Sequence, residues 1–138
     1  MSYYLTTSRR TKKFLFRLSL IILFFISKNL NAQDFAKMTF LDKRICDLGT
    51  FPIKDTVLNK RVHFTNSSIN LLEIQAIYKS CSCTNVSLSK DKILPDEVAY
   101  VDISVDTKNK IGSQEIVVHL IANTEMRDHI IRLIFNIE

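Results

Sequence analysis

The chain has 138 residues, 46% of them hydrophobic and 24% charged, which is typical of one globular domain and excludes a multidomain enzyme. Six of the 19 basic residues and no acidic residue lie in the first 32 positions, leaving 13 basic against 14 acidic residues beyond them. Since the net charge of +5 resides in that N-terminal segment, the rest of the chain has no basic surface and we expect no nucleic-acid partner.

Residues 1–32 have the three-part pattern of a secretory signal peptide. A cationic segment to Arg17 precedes the apolar run from Leu18 to Ile26, and a polar stretch ends at Ala32. The run would span only about 14 Å as a helix, under half of the ~30 Å hydrocarbon core, so a cleaved leader is favoured over a permanent span. We predict cleavage near Ala32, export to the periplasm or the extracellular space, and membrane contact only through the leader during export.

Beyond the leader we predict a linker over 33–42 and one domain over 43–138. Short runs of β-branched and aromatic residues alternate there with turn-forming clusters, and no stretch has sustained helical periodicity. The predicted strands are Arg44 to Leu48, Val57 to Thr65, Leu71 to Lys79, Val98 to Asp106, Gln114 to Ala122 and His129 to Ile137, with a short seventh near Val86 to Leu88. About seven short strands in ~100 residues indicate an all-β fold, a single immunoglobulin-like β-sandwich.

Alternation along each strand predicts which side chains face the core. The residues predicted to point inward are Val62, Phe64, Leu72, Ile74, Ala76, Val101, Ile103, Val105, Ile131, Leu133, Phe135 and Ile137. The segment from Gln114 to Ala122 differs, because apolar residues also occupy its alternate positions Val117 and Ile121. We therefore predict that this strand is central and covered on both faces.

Five motifs follow one another in a characteristic order: Asp47-Leu48-Gly49-Thr50, Val62-His63-Phe64-Thr65-Asn66, Ser80-Cys81-Ser82-Cys83-Thr84, Leu94-Pro95-Asp96-Glu97, and Asp106-Thr107 through Gly112. In this order they resemble a bacterial secreted family, domain of unknown function number 1573, which is related to immunoglobulin-like sandwiches of the Hydin and major sperm protein type. The resemblance covers about 43–137 and implies a fold and a compartment but no reaction. The chain has Ser82 and Asp96 where the family usually has Gly, and Cys46 where it usually has a bulky apolar residue.

Cys81 and Cys83 are the strongest candidates for chemistry. Residues two apart in a strand share a face, so the pair could present two thiolates to a soft metal such as copper or zinc. Zinc needs four ligands, and the other donors are scattered over separate strands: Cys46, His63, His119 and His129. The ligand set is therefore incomplete, and each His is more readily explained as a surface or satisfied interior residue.

A disulfide between Cys81 and Cys83 would require a turn, since their Cα atoms would lie about 6 to 7 Å apart in an extended strand. Such a bond could act in redox exchange. In an oxidising compartment we favour a structural disulfide or two packed thiols, with Cys46 as a small buried side chain. The pairing of the three cysteines stays open at this point.

The sequence has no nucleophile motif and only two glycines, so we predict neither an enzyme nor a bound cofactor. The favoured function is a secreted or periplasmic, non-catalytic, immunoglobulin-like binding or assembly module. Its protein partner, unidentified by the sequence, would add a strand to a sheet edge or dock on a sheet face. The alternative is a periplasmic soft-metal or thiol-redox factor that uses Cys81 and Cys83.

Overall fold

The computed structural model describes residues 35–53 and 56–138, in which all regular structure is β-strand. The predicted signal peptide and its cleavage point lie outside the described residues, within which no helix could cross a membrane. The strands are β1 Met38–Phe40, β2 Ile45–Phe51, β3 Val57–Asn66, β4 Leu72–Lys79, β5 Thr84–Leu88, β6 Lys92–Ile93, β7 Val98–Asp106, β8 Gly112–Ala122 and β9 Asp128–Ile137.

The strands form two sheets. One has four strands in the order β1-β3-β7-β5, and the other has five in the order β2-β9-β8-β4-β6. Every pairing is antiparallel except that of β2 with β9, which is parallel. The prediction of an all-β fold is confirmed, with nine strands in place of about seven.

The core lies between the two sheets. Val62, Val101 and Ile103 of the four-stranded sheet and Val118 and Leu133 of the five-stranded sheet are completely buried in one cluster. Except for Ala76, every residue predicted to point inward is buried. Each fully buried aliphatic side chain of this kind stabilises the fold by about 1.5–3 kcal/mol. The alternation of apolar residues along the strands therefore accounts for which face of each sheet packs inward and for the residues that form the core.

Two of the nine strands were not predicted. β1 lies inside the segment 33–42 predicted as a linker, where Met38 is buried and Phe40 lies opposite Phe64 in the register with β3. The folded unit thus begins before Lys43, and that boundary is corrected. β6 has only two residues, yet Ile93 is completely buried. Strands of two or three residues are too short to display alternation.

Two face assignments are wrong, and both concern the five-stranded sheet. A bulge in the pairing of β4 with β8 lies between Ile74 and Ala76, so Ile77 takes the inward position and Ala76 is only half-buried. β8 is central as predicted, but it is covered on one face only. Val117 and Ile121 are half-exposed on the outer face.

A buried asparagine ties the β3–β4 loop to β6. Asn66 is completely buried, and its Nδ2 donates hydrogen bonds to the carbonyls of Asn70 at 2.7 Å and Ile93 at 2.9 Å. Its Oδ1 accepts from the backbone N–H of Ser68 at 3.1 Å. Its own carbonyl accepts from the N–H of Asp96, which adopts φ 60°, a left-handed conformation that favours glycine. The conformation explains why the related family usually has Gly at that position.

Candidate functional site

The outer face of the four-stranded sheet is polar. Arg61 on β3 forms a two-point ion pair with Asp102 on β7, at 2.7 and 2.8 Å, and stacks 3.9 Å above the ring of Tyr100. The hydrogen bonds from Arg61 lower the pKa of Asp102 below its usual value. Nearby, His63 Nδ1 lies 2.7 Å from Asp42 Oδ2. These groups satisfy one another, so the face offers paired charges and little apolar area.

The outer face of the five-stranded sheet has more exposed apolar side chains than the other outer face, and we call it the isoleucine face. In the strand register its apolar members are diagonal neighbours, and each has a charged residue or histidine directly opposite on an adjacent strand. They lie on β2, β4, β8 and β9: Ile45, Tyr78, Val117, Ile121, Ile130 and Ile134. Ile45 is 61% exposed, Tyr78 62% and Ile134 36%. Exposed apolar side chains that recur diagonally over four neighbouring strands are a feature of interaction surfaces.

Two pairs of charged or titratable side chains lie on the isoleucine face, and Asp47 of β2, opposite Ile134, accepts instead from the N–H of Gly49 at 2.9 Å. Arg132 Nη1 lies 2.7 Å from Glu115 Oε1, and His119 Nδ1 lies 3.0 Å from the Asp128 carboxylate. Each pair joins neighbouring strands β8 and β9. The face therefore alternates apolar side chains with hydrogen-bonded charged groups.

The Cys-x-Cys motif forms a disulfide-bonded turn between β4 and β5. The sulfurs of Cys81 and Cys83 are bonded, with their Cα atoms 5.1 Å apart. This distance is shorter than the 6 to 7 Å of an extended strand, because the chain turns at Ser82 and Cys83. The N–H of Thr84 donates to the carbonyl of Cys81 at 3.2 Å and closes the turn. Both cysteines are half-buried, and Ser82 is exposed.

The two sulfurs of this turn have different surroundings. Sγ of Cys81 accepts a hydrogen bond from the N–H of Cys83 at 3.1 Å, and Nζ of Lys110 lies 3.8 Å away. Cys83 instead lines an open depression of about 420 Å³, together with Lys79, Ser82, Thr84 and Asp106 among others. Nζ of Lys79 donates to the carbonyl of Thr84. One sulfur is thus held beside a cation and the other borders a surface opening.

The remaining candidate ligands are apart from this turn. Cys46 is a free, buried thiol that donates to the carbonyl of Lys43 at 3.0 Å, and burial raises its pKa. His129 is buried, its Nε2 lies 2.7 Å from Thr124 Oγ1, and burial lowers its pKa. His63 and His119 lie on opposite outer faces with carboxylate partners. Within residues 35–53 and 56–138, no three His, Cys, Asp or Glu side chains cluster as a metal site would require.

These features define an all-β protein with two packed sheets, one apolar outer face and a disulfide turn. The chain belongs to the family described as protein of unknown function (DUF1573), whose model matches residues 38–137. The match confirms the resemblance and includes β1. No curated protein sequence matches this chain.

Solved structures share the fold at low sequence identity. A protein of unknown function from Porphyromonas gingivalis W83 aligns with a TM-score of 0.64 and 14% identity, over 79% of this chain and 50% of that one. The VesB protease of Vibrio cholerae aligns at 0.59 and 15% identity, over 82% and 35%. The secreted serine protease VesC of Vibrio cholerae aligns at 0.54 and 12% identity, over 87% and 26%. The chain spans half or less of these proteins, and the similarity concerns the fold alone.

Proposed function

We propose that this chain is an exported, non-catalytic module, an immunoglobulin-like sandwich that binds a protein partner through the isoleucine face. The observation that carries the proposal is the contrast between the two outer faces. Arg61, Asp102 and His63 are paired on a polar face, whereas Ile45 and Ile134 are exposed on the other. Exposed apolar side chains that recur over four neighbouring strands favour this face as the contact surface.

The chemistry of the face narrows the class of partner. Besides the ion pair of Arg132 with Glu115, the face carries the carboxylates of Asp47, which accepts from the N–H of Gly49, and Asp128, which lies 3.0 Å from His119 Nδ1. The expected partner surface is flat and presents apolar side chains with few acidic groups. Ile45 and Ile134 are the expected anchors, since covering one isoleucine fully is worth about 1.5–3 kcal/mol.

The edges of the sheets favour face contact over strand addition. β1 has three residues, β6 has two, and the pairing of β2 is interrupted by a bulge between Asp47 and Gly49. On β5, the bonds of Cys83 and Ser89 to β7 leave the backbone groups of Val86 and Leu88 facing outward. An added strand would thus find two residues to pair with, which is little for stable augmentation.

A non-catalytic role is supported by the state of the candidate residues. His63 and His119 are held by carboxylates on opposite outer faces, and the buried His129 is bound to Thr124. None of these three lies against a cysteine or serine nucleophile among the described residues. The similarity to two proteases carries no catalytic residue to this chain, because it is a fold similarity at 12–15% identity.

Photo-crosslinking in the producing cell tests the isoleucine face. A benzophenone amino acid at Ile45 or Ile134 should give one and the same adduct, and none should form from Val98, an apolar control that is 52% exposed on the polar face. An adduct with a second copy of the chain supports the proposal as well, since the face is then a dimer interface. Adducts that are absent, or identical from Val98, would overturn it.

Three further variants separate face contact from edge contact. Ile134→Glu should abolish the adduct formed from Ile45, because it places a charge at the centre of the interface, whereas Val98→Glu should leave it. Val86→Pro removes an outward N–H of β5 without breaking a bond to β7, so it blocks strand addition alone. If Val86→Pro abolished the adduct formed from Ile45 and Ile134→Glu retained it, the partner would bind by strand addition at β5 and not through the isoleucine face.

Export is tested separately by mass spectrometry of the N-terminus. The three-part pattern of residues 1–32 supports a cleaved leader, so the mature protein should begin within a few residues of Gln33. Recovery of the intact chain from the membrane fraction would show that the segment is an anchor.

A further inference from the structure

The Cys81–Cys83 disulfide closes a loop with one intervening residue, between the end of β4 and the start of β5. A loop this short constrains the unfolded chain least, so the bond adds little stability by that route. Both cysteines are half-exposed, within reach of a thiol in solution. These two properties are those expected of a disulfide that reacts.

We infer that this turn is a thiol–disulfide exchange site, at which an incoming thiolate attacks Sγ of Cys83 and Sγ of Cys81 departs as the thiolate. Cys83 lines the open depression of about 420 Å³ from which an attacking sulfur would approach. Sγ of Cys81 already has the two groups that stabilise a leaving thiolate, the N–H of Cys83 at 3.1 Å and Nζ of Lys110 at 3.8 Å.

The chemical class of reductant is a dithiol, on a protein or a small molecule. Its first thiolate forms a bond to Sγ of Cys83, the bond between the two protein sulfurs breaks, and the electron pair of that bond goes to Sγ of Cys81. The second thiolate of the dithiol then attacks the first sulfur, and Cys83 leaves as a thiolate. The dithiol is oxidised to a disulfide, the protein disulfide is reduced by the same two electrons, and both cysteines take up protons according to pH.

The charged groups around the turn favour the thiolate of Cys81. Lys110 comes from the β7–β8 connection, and Lys79 at the end of β4 bonds to the carbonyl of Thr84. The acidic group that lines the same depression is Asp106, whose Oδ1 accepts from the N–H of Lys108. Two ammonium groups against one carboxylate make the surroundings electropositive, which is typical of reactive cysteines.

The first test uses the unmodified protein. The folded, purified protein is mixed with reduced glutathione, quenched with acid and mapped by peptide mass spectrometry. Glutathione should be found on Cys83 and be nearly absent from Cys81. A disulfide that resists millimolar glutathione while the protein remains folded, or an adduct mainly on Cys81, would overturn the proposal.

The second test measures the reactivity of Cys81 itself. In Cys83→Ser, the rate of iodoacetamide alkylation at Cys81 is measured as a function of pH, separately from alkylation of the buried Cys46. The pH at which this rate reaches half of its maximum should lie below ~8.5, the pKa of a free thiol. Adding Lys110→Met should slow this alkylation about threefold at pH 7, since the nearby cation is lost. Lys108→Met, which removes a charge from the same connection, is the control. A midpoint at or above 8.5, or equal effects of the two lysine variants, would contradict the assignment.

Discussion

Replacement of Asn66 by Leu should lower the free energy of unfolding by about 3–5 kcal/mol. Leucine has a similar volume, so the change removes hydrogen bonds while leaving little cavity. The carbonyl of Ile93, which accepts from Nδ2 at 2.9 Å, loses a buried donor, and the N–H of Ser68 loses its acceptor nearer the surface. The carbonyl of Asn70 loses one of its donors and keeps Ser68 Oγ at 3.2 Å. Each buried polar group left without a partner costs about 1–3 kcal/mol, with the lower end applying where water can enter.

Urea titration monitored by circular dichroism measures this loss, with the exposed Asn85→Leu on β5 as the control, expected to change stability by under about 0.5 kcal/mol. Asn66→Asp adds a second readout. Its carboxylate would face two carbonyl oxygens, which raises its pKa in the folded state above the unfolded value of about 3.9. The free energy of unfolding of Asn66→Asp should therefore fall as pH rises above about 3.9 and recover on acidification. A loss below about 1 kcal/mol for Asn66→Leu, or a pH-independent Asn66→Asp, would refute the role assigned to this side chain.

Three further predictions concern stability and can be checked by denaturant or thermal unfolding. Phe64→Ala should cost about 3–5 kcal/mol because the ring is completely buried, whereas Ile69→Ala, at a residue 84% exposed, should cost under about 0.5 kcal/mol; similar values would undermine the core assignment. Asp96→Gly should raise stability by about 0.5 kcal/mol, since φ 60° costs an aspartate more than a glycine, and a decrease would contradict this reasoning. Burial lowers the pKa of His129, so the folded state binds fewer protons than the unfolded state, and the free energy of unfolding should fall as pH drops below about 6.5. His129→Asn should lose this part of the pH dependence. An unchanged slope of stability against pH in that variant would argue against the assignment.

Alternation predicted most of the fold because the long strands are amphipathic. In β3, Val62 and Phe64 are buried while the alternate residues Arg61 and His63 lie on the outer face, as the two-residue repeat of a strand requires. The bulge after Ile74 could not be predicted, because it depends on how β4 fits against β8 and leaves no mark in the residue types. The short strand β6 is likewise defined by its partner, with Ile93 opposite Leu72.

The candidate sites were only partly visible in the sequence. The apolar residues on both sides of β8 were recognised, but only the structure distinguishes a covered second face from the half-exposed one that Val117 and Ile121 occupy. Cys81 and Cys83 were identified by their spacing. Lys110, 29 positions after Cys81, reaches the sulfur through the β7–β8 connection, and no local pattern predicts a contact at that separation.

The place of β9 in the five-stranded sheet has a consequence for how the protein is produced. β9 lies between β2 and β8, so β2 has no partner in that sheet until β9 is present. Ribosomal synthesis, and any export that threads the N-terminus first, delivers residues 128–137 after all the other strands. Until then β8 lacks one of its two neighbouring strands and β2 lacks its partner, so both can pair with the wrong strand. Such exposure is expected for a fold dominated by distant pairings. The five-stranded sheet is therefore completed only once β9, Asp128–Ile137, is available to pair.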